Sequence, residues 1–176
     1  MWSSPTFATL RPYILDVLDH ADPGDFVVFD IDDTVLNGMG DTVTPVSNGL
    51  DLVAAAHQRG LGVYYVTARP DFPRNRRQTY ADLESVGIAD PAMVVMRPRH
   101  ITSWYEIGKF KQQSRDMIQK AHGGACALTV GDRWSDCFPV TDEEMHRIND
   151  TIGRNMYSLF QFMDARGWGL KFVEGP

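Results

Sequence analysis

Apolar residues return along this chain in two alternating rhythms. Phe7, Leu10, Ile14, Leu15, Val17 and Leu18 recur at helical spacing, and Asp22-Pro23-Gly24-Asp25 supplies the turn chemistry that stops a helix. Phe26-Val27-Val28-Phe29 follows as a short run apolar on both faces, the pattern of a strand buried inside a parallel sheet. The same alternation comes three more times. Residues 47–59 predict a helix stopped by Gly60 and residues 61–66 a strand; residues 74–86 a helix stopped by Gly87 and residues 93–96 a strand. Residues 110–121 predict a helix stopped by Gly123-Gly124, and residues 125–130 a strand. Thr141-x-x-Glu144 has the form of a capping box for one more helix, and residues 157–162 supply a fifth strand.

Strands that alternate with single helices build βαβ units with right-handed crossovers. The expected fold is α/β, a three-layer, doubly wound and mostly parallel sheet. Neither an internal repeat nor a linker divides the 176 residues, so they are read as a single domain. Residues 1–24 form an N-terminal helical extension, 25–136 the core that bears the motifs, and 137–176 its completion. In such sheets ligands bind beyond the carboxyl ends of the strands, at the point where the strand order reverses.

Composition narrows the function. Seventeen basic against twenty-three acidic side chains give a net charge of -6, which argues against a protein that coats nucleic acid or anionic membrane over its whole surface. No apolar run approaches the roughly 20 residues of a membrane span, and the start of the chain lacks the pattern of a secretory signal, so a cytoplasmic protein is expected. Cys126 and Cys137 are too widely spaced for a CxxC pair and too few for a disulfide framework, and are read as free thiols. The five histidines show no paired metal spacing and are read as surface or loop residues.

The residues just past the predicted strands carry the chemistry. They are Asp30-Ile31-Asp32-Asp33-Thr34, then Thr67-Ala68-Arg69, then Gly131-Asp132-Arg133-Trp134-Ser135-Asp136, with Lys109 and Lys111 in the helix before the last of these. Carboxylates, a hydroxyl and an ammonium meeting at one rim can hold a phosphoryl group. One carboxylate serves as nucleophile, a second moves protons, oxygens bind a hard cation, and cationic donors take the phosphoryl oxygens. Taken alone, Asp30 and Asp32 also suit a turn or a calcium loop. An EF-hand is disfavoured, because Val35 stands where that loop needs glycine and a strand precedes the motif.

In this order the motifs resemble the haloacid dehalogenase (HAD) superfamily of aspartate-nucleophile phosphotransferases, over residues 26–136. Val66-Thr67-Ala68-Arg69-Pro70, the glycine-aspartate motif and Trp168-Gly169-Leu170-Lys171 resemble its acid phosphatase branch, which includes the class B bacterial and plant vegetative-storage-type proteins. The resemblance implies a HAD-like Rossmannoid fold and a phosphomonoesterase. In it Asp30 attacks phosphorus, Asp32 protonates the leaving oxygen and then activates water, and Thr67 donates its hydroxyl to the phosphoryl group. Mg²⁺ would be held by the Asp30 carboxylate, the Asp32 main-chain carbonyl and Asp132, with Asp136 orienting the metal's surroundings or the lysine. Lys111 fits the branch's aromatic-Lys-x-x-x-Arg pattern through Phe110 and Arg115, with Lys109 as the alternative. Thr34 is expected to fix the loop and Asp33 to face away from the metal.

Superfamily members often carry a cap inserted after the first or second strand. Here 32 residues separate Thr34 from Thr67 and 43 separate Thr67 from Lys111, most of them used by a helix and a strand. Only a flap fits after the first strand, and Gly38-Met39-Gly40 lets it turn back; residues 97–108 remain as the largest irregular piece. The expected site is therefore open, unless a second copy of the chain or the C-terminal segment covers it. Arg69, Arg74, Arg76, Arg77, Arg97, Arg99 and His100 make its surroundings locally basic, and Trp104, Tyr105 and Trp134 can stack a base. A solvated helix face with ordinary packing aromatics explains the same residues. The expected substrates are nucleoside monophosphates or nucleic-acid ends, the alternatives being a broad small-molecule acid phosphatase and a non-catalytic phosphoacceptor module.

Overall fold

A computed structural model describes residues 7–89, 91, 93–137, 141, 143, 159–164 and 171–174. Six strands form one sheet: β1 (Phe26–Phe29), β4 (Gly62–Pro70), β5 (Val94–Arg97), β6 (Cys126–Gly131), β7 (Leu159–Asp164) and β8 (Lys171–Glu174), in the order β5-β4-β1-β6-β7-β8. The first four run parallel, while β7 and β8 are antiparallel additions at one edge. From β1 the chain winds outward through β4 and β5, then returns to lay β6 on the other side of β1. The order therefore reverses between β1 and β6, and the crevice beyond their carboxyl ends is where a ligand belongs.

Side-chain alternation along β1 divides the core. Val27 and Phe29 face one layer with Ile14, Val17 and Leu18 of α1 (Phe7–Asp19), Leu52 and Ala56 of α2 (Ser47–Gln58) and Leu83 of α3 (Pro73–Ser85). Phe26 and Val28 face the other, with Phe110 and Ile118 of α4 (Trp104–His122). The result is the expected three-layer α/β sandwich.

After β1 the chain makes the expected flap. β2 (Leu36–Asn37) and β3 (Thr44–Pro45) pair as an antiparallel hairpin around a 3₁₀ turn at Gly40–Thr42. α2 is locked beneath this loop, since a Cβ at Gly49 would lie 1.7 Å from the Thr34 carbonyl oxygen. Only glycine lets the first turn of α2 approach so closely.

Four elements depart from the sequence reading. α4 begins at Trp104, six residues before the expected start, because Ser103 and Glu106 form a reciprocal capping box. Much of the piece read as irregular is therefore helix. β4 runs on to Pro70, with an irregularity between Thr67 and Pro70 that breaks its register with β5. The last expected strand lies at Leu159–Asp164, and β8 was not anticipated. His122 is half-buried rather than a surface residue: its ring meets Phe26 and Tyr64 edge-on, and its Nδ1 lies 2.6 Å from the Tyr64 hydroxyl. The helix expected from Thr141 falls largely outside the described residues. Among those residues no helix is long and apolar enough to cross a membrane.

Candidate active site

Asp30 follows β1 directly, and its backbone N–H donates to the Val130 carbonyl at 2.9 Å, which carries the β1–β6 pairing one residue past the strand. Ile31, fully buried, anchors the turn from below. Its carbonyl accepts from the backbone N–H groups of Thr34, Val35 and Leu36, and Asp33 takes the left-handed conformation at φ 58°, which aspartate tolerates better than most residues. The turn thus presents Asp30 and Asp32 on either side of one core residue.

α4 brings the counter-charge. Lys111, buried on the face that also carries Phe110, Ser114 and Ile118, places Nζ 2.5 Å from Asp30 Oδ1 and hydrogen-bonds Asp136 Oδ1. Lys109 points elsewhere, its ammonium 5.3 Å from the Tyr105 ring centroid, so of the two candidate lysines Lys111 is the one at the site. Asp136 sits in α5 (Trp134–Cys137), where its other oxygen accepts from the Arg133 backbone N–H at 2.8 Å. Arg115 Nη1 donates to the Asp136 carbonyl oxygen. A Cβ at residue 131 would lie 2.1 Å from Asp136 Oδ2, so Gly131 makes the space that this carboxylate occupies.

Asp30, Asp132 and Asp136 are all buried and can offer oxygens within 4.8 Å of one another. Burial pushes the Asp30 carboxyl up to about 7; Lys111 works against the rise, and Asp136 and Asp32 add to it. Burial, with Asp136 and Asp30 close by, likewise raises Asp132 well above the ordinary carboxylate range. Burial opposes the charge on Lys111, but the two carboxylates it joins outweigh that and hold it protonated. If all three carboxylates ionise, Lys111 and the Arg133 guanidinium 3.7 Å from Asp132 still leave net negative charge in a buried site, which is costly. The deficit and the all-oxygen donor set suit a hard divalent cation.

Asp32 lies outside this cluster. Its side chain is 42% exposed, and both its oxygens accept from Arg69, Nε at 3.1 and 2.9 Å and Nη2 at 2.7 Å. Thr67 is fully buried inside β4, which runs three residues past it, its Oγ1 accepting from the Arg69 backbone N–H at 3.1 Å, and it does not reach the cavity wall. Thr34 is fully buried beneath the loop. Asp33, expected to face away, lines the cavity.

The cavity itself measures about 240 Å³ and is walled by Asp30, Asp32, Asp33, Ala68, Arg69, Trp104, Lys111, Asp132, Arg133, Ser135 and Asp136. The sequence placed Arg69 in the strand-end and branch motifs and among several rim arginines but gave it no partner, and it assigned nothing to Ser135. The Ser135 hydroxyl is buried and has no hydrogen-bond partner among the described residues. Trp104 stands at the mouth with the Arg133 guanidinium 4.3 Å over its ring. Much of the remaining basic patch is structural: Arg97 donates to the Ala68 and Ile101 carbonyls, Arg76 pairs with Asp71, and Arg99 covers Phe72. The Trp134 and Cys137 side chains lie outside what is described, and Cys126 is a free, half-buried thiol.

A family model of HAD superfamily subfamily IIIB acid phosphatases matches residues 38–149, well over half of the chain. The chain belongs to that acid phosphatase family. The match includes β4, α4 and the Asp132–Asp136 segment and begins just past Asp30 and Asp32. No curated protein matches. Among solved structures, a class C acid phosphatase from Bacillus anthracis, crystallised with tungstate bound, superimposes with a TM-score of 0.56 at 17% identity, over 86% of this chain and 72% of that one. At that identity the likeness speaks for the fold alone. Membership makes this chain a phosphatase and disposes of the phosphoacceptor alternative.

Proposed function

We propose that this acid phosphatase is a magnesium-dependent phosphomonoesterase working through a phosphoaspartate on Asp30, within a single domain spanning residues 1–176. The observation that carries the reading is the buried Asp30–Lys111–Asp136 contact with Asp132 beside it, at the switch point of the sheet. Asp30, Asp132 and the Asp32 main-chain carbonyl would hold Mg²⁺, with Asp136 orienting Lys111 and the metal's surroundings; such an ion would supply positive charge to these carboxylates and to a phosphoryl oxygen.

In the first half-reaction an Asp30 carboxylate oxygen forms a bond to phosphorus as the bond to the leaving oxygen breaks, and Asp32 gives its proton to that oxygen. In the second, Asp32 takes a proton from water as the water oxygen bonds to phosphorus and the Asp30–phosphorus bond breaks, releasing inorganic phosphate and restoring both acids. Lys111 sets its charge against the phosphoryl oxygens. Thr67, buried behind the cavity wall, holds the Arg69 backbone N–H through its Oγ1 and so supports the wall, in place of the phosphoryl contact the resemblance implies.

Two outcomes check the assignments. Asp32→Asn lowers kcat for an alkyl phosphate, a poor leaving group, at least about 10-fold more than for p-nitrophenyl phosphate, whose departure needs little protonation. Equal losses on both esters contradict the acid role. Asp132→Ala weakens Mg²⁺ binding, read by calorimetry on the free protein, by about 10-fold or more; an unchanged titration removes Asp132 from the metal site.

For substrate we infer nucleoside monophosphates over nucleic-acid ends. The open cavity and the Trp104–Arg133 pair at its mouth suit a planar leaving group, whereas the acidic net charge of -6 disfavours a long polyanion. A phosphate-release panel of nucleotides, 3′- and 5′-phosphorylated oligonucleotides, sugar phosphates and phosphopeptides tests this. Nucleotides lead the panel, and Trp104→Ala costs them more than sugar phosphates. A lead for sugar phosphates contradicts it.

A further inference from the structure

Arg69 is buried in β4, with its side chain 3% exposed, and all three of its guanidinium nitrogens are engaged. Nε and Nη2 hold both oxygens of Asp32, as described above. Nη2 also donates to the Gly38 carbonyl of the flap at 3.1 Å. Nη1 donates to Asp82 Oδ2 at 2.6 Å and to Thr79 Oγ1 at 3.3 Å. Asp82 is a fully enclosed carboxylate on α3, and its other oxygen accepts from the Gly40 backbone N–H at 3.0 Å and from Gln78 Nε2 at 2.8 Å. One buried charge on a helix thus fixes the arginine and one end of the flap together.

The chemistry of this chain of contacts bears on proton transfer. A guanidinium has donors only, so each Asp32 oxygen facing it must act as an acceptor. An Asp32 that carries a proton for a leaving group must free one oxygen while the other stays anchored. How firmly Arg69 holds it depends on Asp82, because an arginine without that second carboxylate is free to follow Asp32.

We propose that Asp82 is a positioning residue for the reaction, acting through Arg69 to set the orientation of the Asp32 carboxylate and tying that orientation to the place of the Gly38–Gly40 flap. The inference rests on the reading of Asp32 as the acid. Asp82 touches neither the substrate cavity nor the metal cluster.

Asp82→Asn tests it. Asparagine keeps the oxygen that serves Gly40 and Gln78 but turns an NH₂ toward Arg69 Nη1, so the arginine link is broken and the flap link kept. The readout is the ratio of kcat values for p-nitrophenyl phosphate and an alkyl phosphate, with KM for each. The expected result is a ratio at least about 10-fold above that of the wild type, with KM changed less than about 3-fold, and no further change in ratio when Asp82→Asn is added to Asp32→Asn. Equal falls on both esters in Asp82→Asn, with the leaving-group effect intact in Asp32→Asn, overturn the positioning role alone. Equal falls in Asp32→Asn overturn the acid reading and the positioning role with it. Arg69→Lys, which keeps the buried charge but cannot span both carboxylates, reads the same ratio if Asp82→Asn does not fold; an unchanged ratio there also overturns the proposal.

Discussion

Asp30→Asn abolishes phosphate release while the protein stays folded and melts no lower than the wild type. The two halves of that result have one cause. Asp30 is paired with Lys111 and lines the cavity directly past β1, and an amide in its place cannot form the phosphoryl bond. A loss beyond about 10³-fold is the scale for removing a nucleophile. Yet in the metal-free protein Asp30 is under strain, its carboxyl pushed up to about 7 by burial and by the neighbouring acids. The amide removes one of three crowded negative charges and leaves Lys111 paired with Asp136. Thermal melts beside steady-state assays check both halves. Activity within about 10-fold of the wild type contradicts the nucleophile assignment, and a collapsed fold contradicts the electrostatic reading.

Lys111→Met has the opposite balance. It keeps most of the side-chain volume and removes the ammonium that Asp30 and Asp136 share, so three buried carboxylates face one another without it. Breaking a buried ion pair from one side costs about 3–5 kcal/mol. For a chain of this size that lowers the melting midpoint by roughly 6–20 °C. Millimolar Mg²⁺ restores part of the loss, because it supplies positive charge to the same carboxylates. Turnover falls with the stability and does not return with the cation, since the phosphoryl oxygens have lost their donor. Lys109→Met, altering an exposed residue stacked on Tyr105, changes neither. Differential scanning calorimetry with and without Mg²⁺ checks the set; a midpoint unmoved in Lys111→Met removes the lysine from the cluster.

What was legible in the sequence follows from what is local. β1 and the three strands parallel to it are short apolar runs with glycine stops behind the helices, and the reading placed each within a few residues. Asp30 and Asp132 stand immediately past strand ends and Asp136 in the short helix that follows the second of them, so an α/β order alone brings them to one rim. α4 was read six residues short because Trp104 to Lys109 are too polar for the apolar rhythm; the Ser103–Glu106 capping box was the signal that would have placed its start. β8 was missed because a four-residue strand added antiparallel at a sheet edge falls outside the helix–strand alternation that marked the parallel strands. Arg69 and Asp82 were hidden for another reason. Their partnership joins β4, α3 and the flap across 13 and 42 residues of sequence, and no spacing rule links them. The clue was one of pattern: Thr79 and Asp82 lie beside Leu83 on the buried face of α3, and polar residues on such a face ask for partners.

The most direct test of the phosphoaspartate route is to trap it. Wild-type protein with Mg²⁺ and a ³²P-labelled phosphomonoester, quenched in acid within milliseconds and digested, is expected to carry label on the peptide containing Asp30. That label should be released by hydroxylamine as an acyl phosphate is, and it should be absent from Asp30→Asn. Rapid turnover with no acid-stable label, or label on any other residue, contradicts the mechanism.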